Sequence, residues 1–200
     1  LSEYSNPKLR NILKPILEIL AGIPSVVYGF FAFLYITPLL KKFPFWEVDT
    51  YNVLSASFAV GIMITPLVAS ISEDALKSVP SSLREASLAL GATKFETVWK
   101  VTVPAAVSGI VSSFILAISR AIGETMVVSM AAGSKPVLNL NPLGQIQTMT
   151  GYMVSKSFGE VPVGSLEYQT VFVIGLILFL MTLTLNILAK KIITRFREVY

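Results

Sequence analysis

Long uninterrupted runs of apolar residues alternate with polar segments along this 200-residue chain. The apolar runs cover residues about 15–40, 51–71, 105–133 and 170–189. Each reaches the roughly 20 residues that a helix needs to cross about 30 Å of hydrocarbon, and a helix bonds its own backbone groups there. The pattern predicts an all-α membrane protein, a single domain over residues 1–200 built as a bundle of about four transmembrane helices.

Composition agrees with a membrane protein and narrows its chemistry. Hydrophobic residues make up 54% of the chain and charged residues only 14%, where a soluble domain has about 25% charged residues. The net charge of +4 comes without a long basic run, so no nucleic-acid partner is expected. The chain has no cysteine and no histidine. Thiolate and Ser-His catalysis and the usual zinc or haem ligands are therefore excluded, and we predict no catalytic residue, metal or cofactor.

The distribution of basic residues predicts which side of the membrane each polar segment faces. Segment 72–104 has four basic residues, whereas segment 134–169 has only two. We therefore place the first inside, the second outside and both termini in the cytoplasm, with Lys41-Lys42 as an exception on the outer side. The inner segment and the C-terminal tail each carry four basic residues: Lys77, Arg84, Lys94 and Lys100 in the segment, and Lys190, Lys191, Arg195 and Arg197 in the tail.

Proline residues interrupt the apolar runs at Pro24, Pro38 and Pro66. Membrane helices accept an interior proline when neighbouring groups satisfy the freed carbonyl. We expect these prolines to kink the helices and shape their packing, with a direct role in gating as the alternative.

The inner segment 72–104 has the signals of two short helices joined by a turn. Ser82 to Glu85 and Thr93 to Glu96 both fit the capping-box pattern, and Gly91 stands where a helix ends in a left-handed residue. The alternative is an ordinary amphipathic loop lying on the membrane. The apolar residues available to bury against a partner are Leu83, Leu88, Leu90, Phe95, Val98 and Trp99.

Two charged residues, Arg120 and Glu124, lie within the third apolar run. A charge at the bilayer centre costs about 2.5–3.5 kcal/mol, so both side chains are expected to face the bundle interior or water. Their i,i+4 spacing would place them on one helix face as a pair. One interpretation is a buried ion pair that fixes helix packing. The other is a translocation-path site in which the guanidinium binds an anion and Glu124 holds or gates it. Small residues surround the two charges: Ser112, Ser113, Ala117, Ser119, Ala121, Gly123 and Ser129.

The outer segment 134–169 is too polar to span the membrane. Apolar residues recur at helical spacing within it and predict a short amphipathic helix entered at Asn141-Pro142. Its function is either a structural cap or a docking surface. The recurring positions are Leu143, Ile146, Met149 or Thr150, and Met153.

The inner segment resembles the loop that marks the permeases of ABC importers: Glu-Ala-Ala, three residues, Gly, nine residues, Ile, one residue, Leu-Pro. Here Glu85-Ala86-Ser87, Gly91, Val101, Val103 and Pro104 stand at the matching offsets. Ser87 replaces the second alanine, and the two valines replace Ile and Leu. The resemblance implies that this segment is a coupling helix, with Glu85, Ala86, Ser87, Gly91 and Pro104 docking into an ATP-binding ABC subunit.

Other segments resemble the PstC type, a permease of the phosphate-specific ABC importer. They are residues 119–126 (SRAIGETM), 20–30 (LAGIPSVVYGF) and 175–179 (GLILF). The resemblance implies phosphate as cargo, a second permease subunit, an extracytoplasmic phosphate-binding protein, and a place in the lipid of the cytoplasmic inner membrane. This family usually has six membrane helices, so the first two are expected to be absent here.

Three other functions compete with a phosphate permease, and none of them is an enzyme. An ABC permease for another oxyanion, such as molybdate or sulfate, keeps the mechanism and changes the cargo. An ion-coupled secondary carrier would use Arg120 and Glu124 as a proton relay but would not need an ATPase-docking loop. A structural membrane subunit would have no transport path.

Overall fold

The computed structural model describes residues 4, 6–45, 47–138, 140–159 and 161–196, and all regular structure within them is helical. Arg197 of the basic tail lies outside these residues. The helices, in chain order, are α1 (Pro7–Gly22), α2 (Ser25–Phe31), α3 (Thr37–Lys41), α4 (Val53–Lys77), α5 (Ser81–Ala89), α6 (Lys94–Thr97), α7 (Val103–Ala105), α8 (Val107–Ile122), α9 (Met126–Ala131), α10 (Met149–Ser157) and α11 (Leu166–Phe196).

Two of these helices, α4 and α11, are long and apolar enough to cross a membrane. Helix α4 covers the predicted run 51–71 from Val53 onward, and α11 contains the run 170–189. Two further candidates are helix pairs with a bend between them, Lys8–Gly22 with Ser25–Lys41 and Lys94–Ala105 with Val107–Ile122, the second bent by 63°. The described residues therefore hold two to four candidate spans. The all-α membrane class is confirmed.

Prolines act differently at different positions. Pro24 precedes α2 at a break between helices, whereas α4 continues through Pro66. Pro38 and Pro104 each follow a wider π-helical turn, over Ala32–Ile36 and Val98–Thr102. Proline lacks an N–H group, and its ring collides with the carbonyl four residues earlier. In the wider π-helical turn before each of these two prolines, that carbonyl lies in a different position relative to the proline ring.

The chain divides into two compact units. The first contains residues 1–21, 65–119 and 185–200, and the second contains residues 22–64 and 120–184. In the first unit α4 and α8 lie close together at Gly109. A β-carbon added to this glycine would overlap the side chain of Ala75. Close approach through small residues is typical of membrane helices.

The core of the second unit is built from α2, α4 and α9. Alanines dominate it, so the helices pack closely: Tyr28, Ala32, Ala56, Ala59, Met63, Val127, Ala131 and Ala132. Gly29 contributes a close approach, since a β-carbon there would lie 3.1 Å from that of Met130.

The outer-segment helix is shorter than predicted. It begins at Met149, with Thr148 as its N-cap accepting a hydrogen bond from the backbone N–H of Gly151 at 3.1 Å. Asn141 does not start a helix. Its side chain accepts from the N–H of Leu143 at 3.0 Å and forms a turn instead. The prediction that Leu143 and Ile146 belong to this helix was therefore wrong.

A fully buried asparagine joins three elements of the second unit. Asn52 accepts from the N–H of Ser55 at 2.8 Å, and its amide donates to the Thr37 hydroxyl at 3.2 Å. Its backbone N–H donates to the carbonyl of Ala131, at the end of α9, at 2.9 Å. The Thr37 hydroxyl in turn donates to Ser55 Oγ at 3.0 Å. One side chain therefore caps α4 and ties it to α3.

We predict that Asn52→Ala lowers the stability of the folded protein by about 1–3 kcal/mol, because it leaves buried donors and acceptors unsatisfied. The measurement is the thermal unfolding midpoint in detergent. Asn11→Ala, at an exposed helical position, is the matched control and should leave the midpoint nearly unchanged. Equal midpoints for the two variants would contradict the role given to Asn52.

Candidate functional site

The first helix of the inner segment, α5, begins earlier than the capping box predicts. Pro80 occupies the N-cap position, and no side chain caps the helix. The carbonyl of Pro80 accepts from the N–H of Leu83 at 3.3 Å, which places Ser82 inside the first turn. The predicted box between Ser82 and Glu85 is therefore not formed.

Gly91 ends α5 as predicted. Its φ is +86°, in the left-handed region. The N–H of Gly91 donates to the carbonyl of Leu88 at 2.9 Å, and the N–H of Ala92 donates to the carbonyl of Ser87 at 3.2 Å. This pair of bonds is the Schellman motif, which satisfies the carbonyls at the end of α5 and fixes the turn.

The second helix, α6, begins with the predicted capping box. The Thr93 hydroxyl accepts from the N–H of Glu96 at 3.3 Å, while the carboxylate of Glu96 accepts from the N–H of Thr93 at 3.0 Å. The backbone hydrogen bond from Thr93, followed by those from its hydroxyl and from Lys100, lowers the pKa of Glu96 below 4.5. The carboxylate is thus ionised at neutral pH and complements the N-terminal end of the helix.

Two side-chain contacts that the sequence does not reveal make this segment rigid. The Ser87 hydroxyl lies 3.0 Å from that of Thr97 and joins α5 to the end of α6. Arg84 donates to the carbonyl of Leu76 at 2.6 Å and joins α5 to the end of α4. Ser87 is the position where this chain departs from the Glu-Ala-Ala pattern, and the departure supplies a hydrogen bond.

The inner segment exposes a cluster of large apolar side chains. The exposed fraction is 49% for Leu88, 89% for Leu90, 62% for Phe95 and 60% for Trp99. Glu85, Ala86, Gly91 and Pro104 are also exposed, so four of the five predicted coupling residues lie at the surface and Ser87 is half-buried. Phe95 and Trp99 also contact each other, with ring centroids 6.3 Å apart. Exposed apolar side chains in such number are candidates for an interaction surface.

Arg120 and Glu124 do not lie on one continuous helix. Helix α8 ends at Ile122, and α9 begins at Met126. Glu124 lies in the break, where its Oε1 accepts from the N–H of Val127 at 3.3 Å and its carbonyl accepts from the Thr150 hydroxyl at 2.8 Å. The prediction that the two charged residues pair through i,i+4 spacing was therefore wrong.

The side chain of Arg120 is exposed. Among the described residues, the structure gives this guanidinium no hydrogen bond and no ion pair. A cation inside a membrane protein requires a counter-charge, water or a ligand. The arrangement can therefore present an unpaired guanidinium to an anion, with Glu124 fixing the backbone of the helix that follows.

Comparison with known proteins shows the family to which the chain belongs. The family model for the binding-protein-dependent transport system inner membrane component matches residues 1–198, and the chain belongs to this family. YqgH of Bacillus subtilis, described as a probable ABC transporter permease protein, is 36% identical over 186 residues, which cover 93% of this chain and 60% of that protein. The phosphate transport system permease protein PstC of Pasteurella multocida is 30% identical and covers 99% of this chain and 67% of its own length.

The fold also matches a solved structure. An inward-facing form of the MetNI methionine ABC transporter aligns with a TM-score of 0.69 at 20% identity, covering 96% of this chain and 77% of the other. At this identity the match establishes the fold alone. The resemblance to ABC-importer permeases is confirmed, and the chain spans about 60 to 67% of the length of these two curated relatives.

Gly91 and Gly61 provide a matched test of the turn. A β-carbon would meet nothing within 4 Å at either position, but only Gly91 has a positive φ. We predict that Gly91→Ala costs about 1–2 kcal/mol, the penalty of a left-handed residue with a side chain. Gly61→Ala, within α4, should be neutral or stabilising by about 0.5–1 kcal/mol. Unfolding midpoints in detergent measure both, and equal effects would contradict the turn assignment.

Proposed function

We propose that this protein is a permease subunit of a binding-protein-dependent ABC importer that moves inorganic phosphate across the cytoplasmic membrane. The observation that carries the transporter assignment is the set of exposed apolar side chains in the inner segment 72–104, where hydrogen bonds join α5 to α4 and to α6. In this proposal the segment docks into an ATP-binding subunit, and the chain itself catalyses no reaction. Its C-terminus lies in the cytoplasm.

The bonds within the segment explain how a force from the partner would reach the membrane helices. The Ser87–Thr97 contact makes α5 and α6 move together, and Arg84 connects α5 to the last turn of α4. A displacement of the apolar cluster around Leu90 would therefore move α4. An unstructured loop could not transmit such a displacement, because it would absorb the motion.

The cargo assignment depends on Arg120. A guanidinium offers planar, forked donors that suit the oxygens of phosphate. The PstC relative is described as a phosphate transport system permease, which favours phosphate over molybdate or sulfate. A neighbouring serine is already engaged, since the Ser119 hydroxyl donates to Asn186 Oδ1 at 3.0 Å.

The geometry of Glu124 argues against an ion-coupled carrier. A proton relay would require Glu124 and Arg120 to exchange a proton or a counter-charge directly. Instead the carboxylate of Glu124 accepts from the Val127 backbone, which is a structural task. A structural subunit without a transport path would not explain why Arg120 is exposed and has no ion pair among the described residues.

The remaining partners follow from the same proposal. A second permease subunit would complete the path across the membrane, and membrane lipid would surround the spans. An extracytoplasmic phosphate-binding protein would deliver phosphate to the outer segment 134–169, whose Leu138 and Leu140 are almost fully exposed.

We predict that Arg120→Gln reduces uptake of labelled phosphate by about 10- to 100-fold, because a hydrogen bond to a charged group contributes about 1.5–3 kcal/mol. Arg120→Lys keeps the charge but loses the fork and should give an intermediate rate. Membrane insertion, checked by immunoblot, should be normal in both. Uptake retained by Arg120→Gln, or inhibition of wild-type uptake by sulfate as strong as by phosphate, would contradict the cargo assignment.

We predict that Glu85→Lys reduces copurification of the ATP-binding subunit or abolishes the stimulation of its ATPase activity by the phosphate-loaded binding protein. Glu85 is exposed within the segment, so the substitution reverses a surface charge without disturbing a core. The matched control is Glu47→Lys, at an exposed position of the outer side, which should leave both measurements unchanged. An ATP-binding subunit that never copurifies with the wild-type protein would refute the importer assignment.

A further inference from the structure

Helix α1 carries apolar side chains on two adjacent arcs of its surface. One arc is half-buried and consists of Leu13, Leu17 and Leu20. The other, which we call the outer apolar arc, is between 45% and 67% exposed and consists of Leu9, Ile12, Ile16 and Ile19. At 3.6 residues per turn these four residues form a continuous stripe. The described residues leave about half of this stripe uncovered.

The remaining surface of α1 is polar. Its exposed side chains include two lysines, and they lie on the side of the helix opposite the half-buried arc: Lys8, Asn11, Lys14 and Glu18. The helix thus has three surfaces, of which one faces the protein, one is polar, and the outer apolar arc lies between them.

An ion-pair cluster fixes the rotation of α1 about its own axis. Arg10 lies 3.1 Å from the carboxylate of Glu73, a buried residue of α4, and Lys77 lies 2.6 Å from the same oxygen. These contacts lie within the first compact unit. The outer apolar arc cannot turn toward the protein while Arg10 is held in this way.

The position of α1 in the chain restricts what can cover the outer apolar arc. The predicted span 15–40 includes residues 15–22 of α1, but Ile23 and Pro24 break it between α1 and α2. We assign the membrane crossing to Ser25–Lys41 alone. At its other end α1 is bound through Arg10 to Glu73, near the end of the candidate span α4. Both ends of α1 are therefore linked to membrane spans. An exposed apolar stripe bordered by a lysine, here Lys8, is typical of helices that lie in the membrane interface.

We propose that α1 is an interfacial helix whose outer apolar arc is occupied by phospholipid of the inner leaflet. Leu9, Ile12, Ile16 and Ile19 enter the boundary between headgroups and acyl chains, to the depth of about 5–10 Å typical of such helices. Lys8, which borders the outer apolar arc, lies among the lipid phosphates, whose charge is opposite to its own. The proposal rests on the membrane orientation given above and is independent of the cargo.

The absence of cysteine from this chain allows a direct depth measurement. Single Ile12→Cys and Ile16→Cys substitutions carry an environment-sensitive fluorophore in the assembled complex, reconstituted in vesicles of phosphatidylethanolamine and phosphatidylglycerol. Two quenchers are compared, a nitroxide attached near the top of the lipid acyl chain and aqueous iodide. The expected result is strong quenching by the lipid nitroxide and weak quenching by iodide at both positions.

An Asn11→Cys label on the polar surface is the matched control and should show the opposite order of quenching. Labels at positions 12 and 16 that are shielded from both quenchers would mean that protein covers the arc, and the proposal would be wrong. Iodide quenching equal to that at position 11 would place the arc in water and would also overturn it. The measurement requires no transport, so its outcome is separate from the test of phosphate uptake.

Discussion

A helix that breaks inside or beside a membrane leaves backbone N–H and C=O groups without partners, and hydrocarbon offers none. Polar side chains satisfy some of these groups at three of the breaks in this chain. Asn52 caps α4 in the core of the second unit, Glu124 accepts from the N–H of Val127 where α9 begins, and Thr93 with Glu96 caps α6. The helices can therefore be short and angled rather than continuous, and the functional segments lie at those breaks.

This constraint also separates the two intramembrane charges. Glu124 accepts a hydrogen bond from the backbone of α9, and among the described residues it forms no ion pair with Arg120. In the proposed function the guanidinium binds the anion. The inner segment is similar. Hydrogen bonds from Arg84 and Ser87 connect its helices, while the apolar cluster around Leu90 stays exposed to solvent. In both places local hydrogen bonds connect the helices, and a different group, Arg120 or the apolar cluster, stays exposed.

The sequence predicted much of this architecture because its signals are local. Apolar length indicated the spans, Gly91 the turn, and Thr93 to Glu96 the second helix. It failed where a competing local signal was stronger: Pro80 displaced the start of α5, and Thr148 capped α10 in place of Asn141. The break at Gly123-Glu124-Thr125 was missed because an i,i+4 spacing presumes a helix. The contacts of Ser87 with Thr97 and of Arg84 with Leu76 join residues 10 and 8 positions apart, and no periodicity reports them.

The central claim is that the inner segment 72–104 is the surface through which an ATP-binding subunit drives this membrane protein. Two leucines of similar exposure test it directly, Leu90 in the inner segment at 89% and Leu138 in the outer segment at 103%. A photo-crosslinking amino acid is placed at either position, and the products in intact cells are identified by mass spectrometry. The account predicts that position 90 captures an ATP-binding subunit and that position 138 does not. Capture of that subunit from position 138, or its absence from position 90, would contradict it.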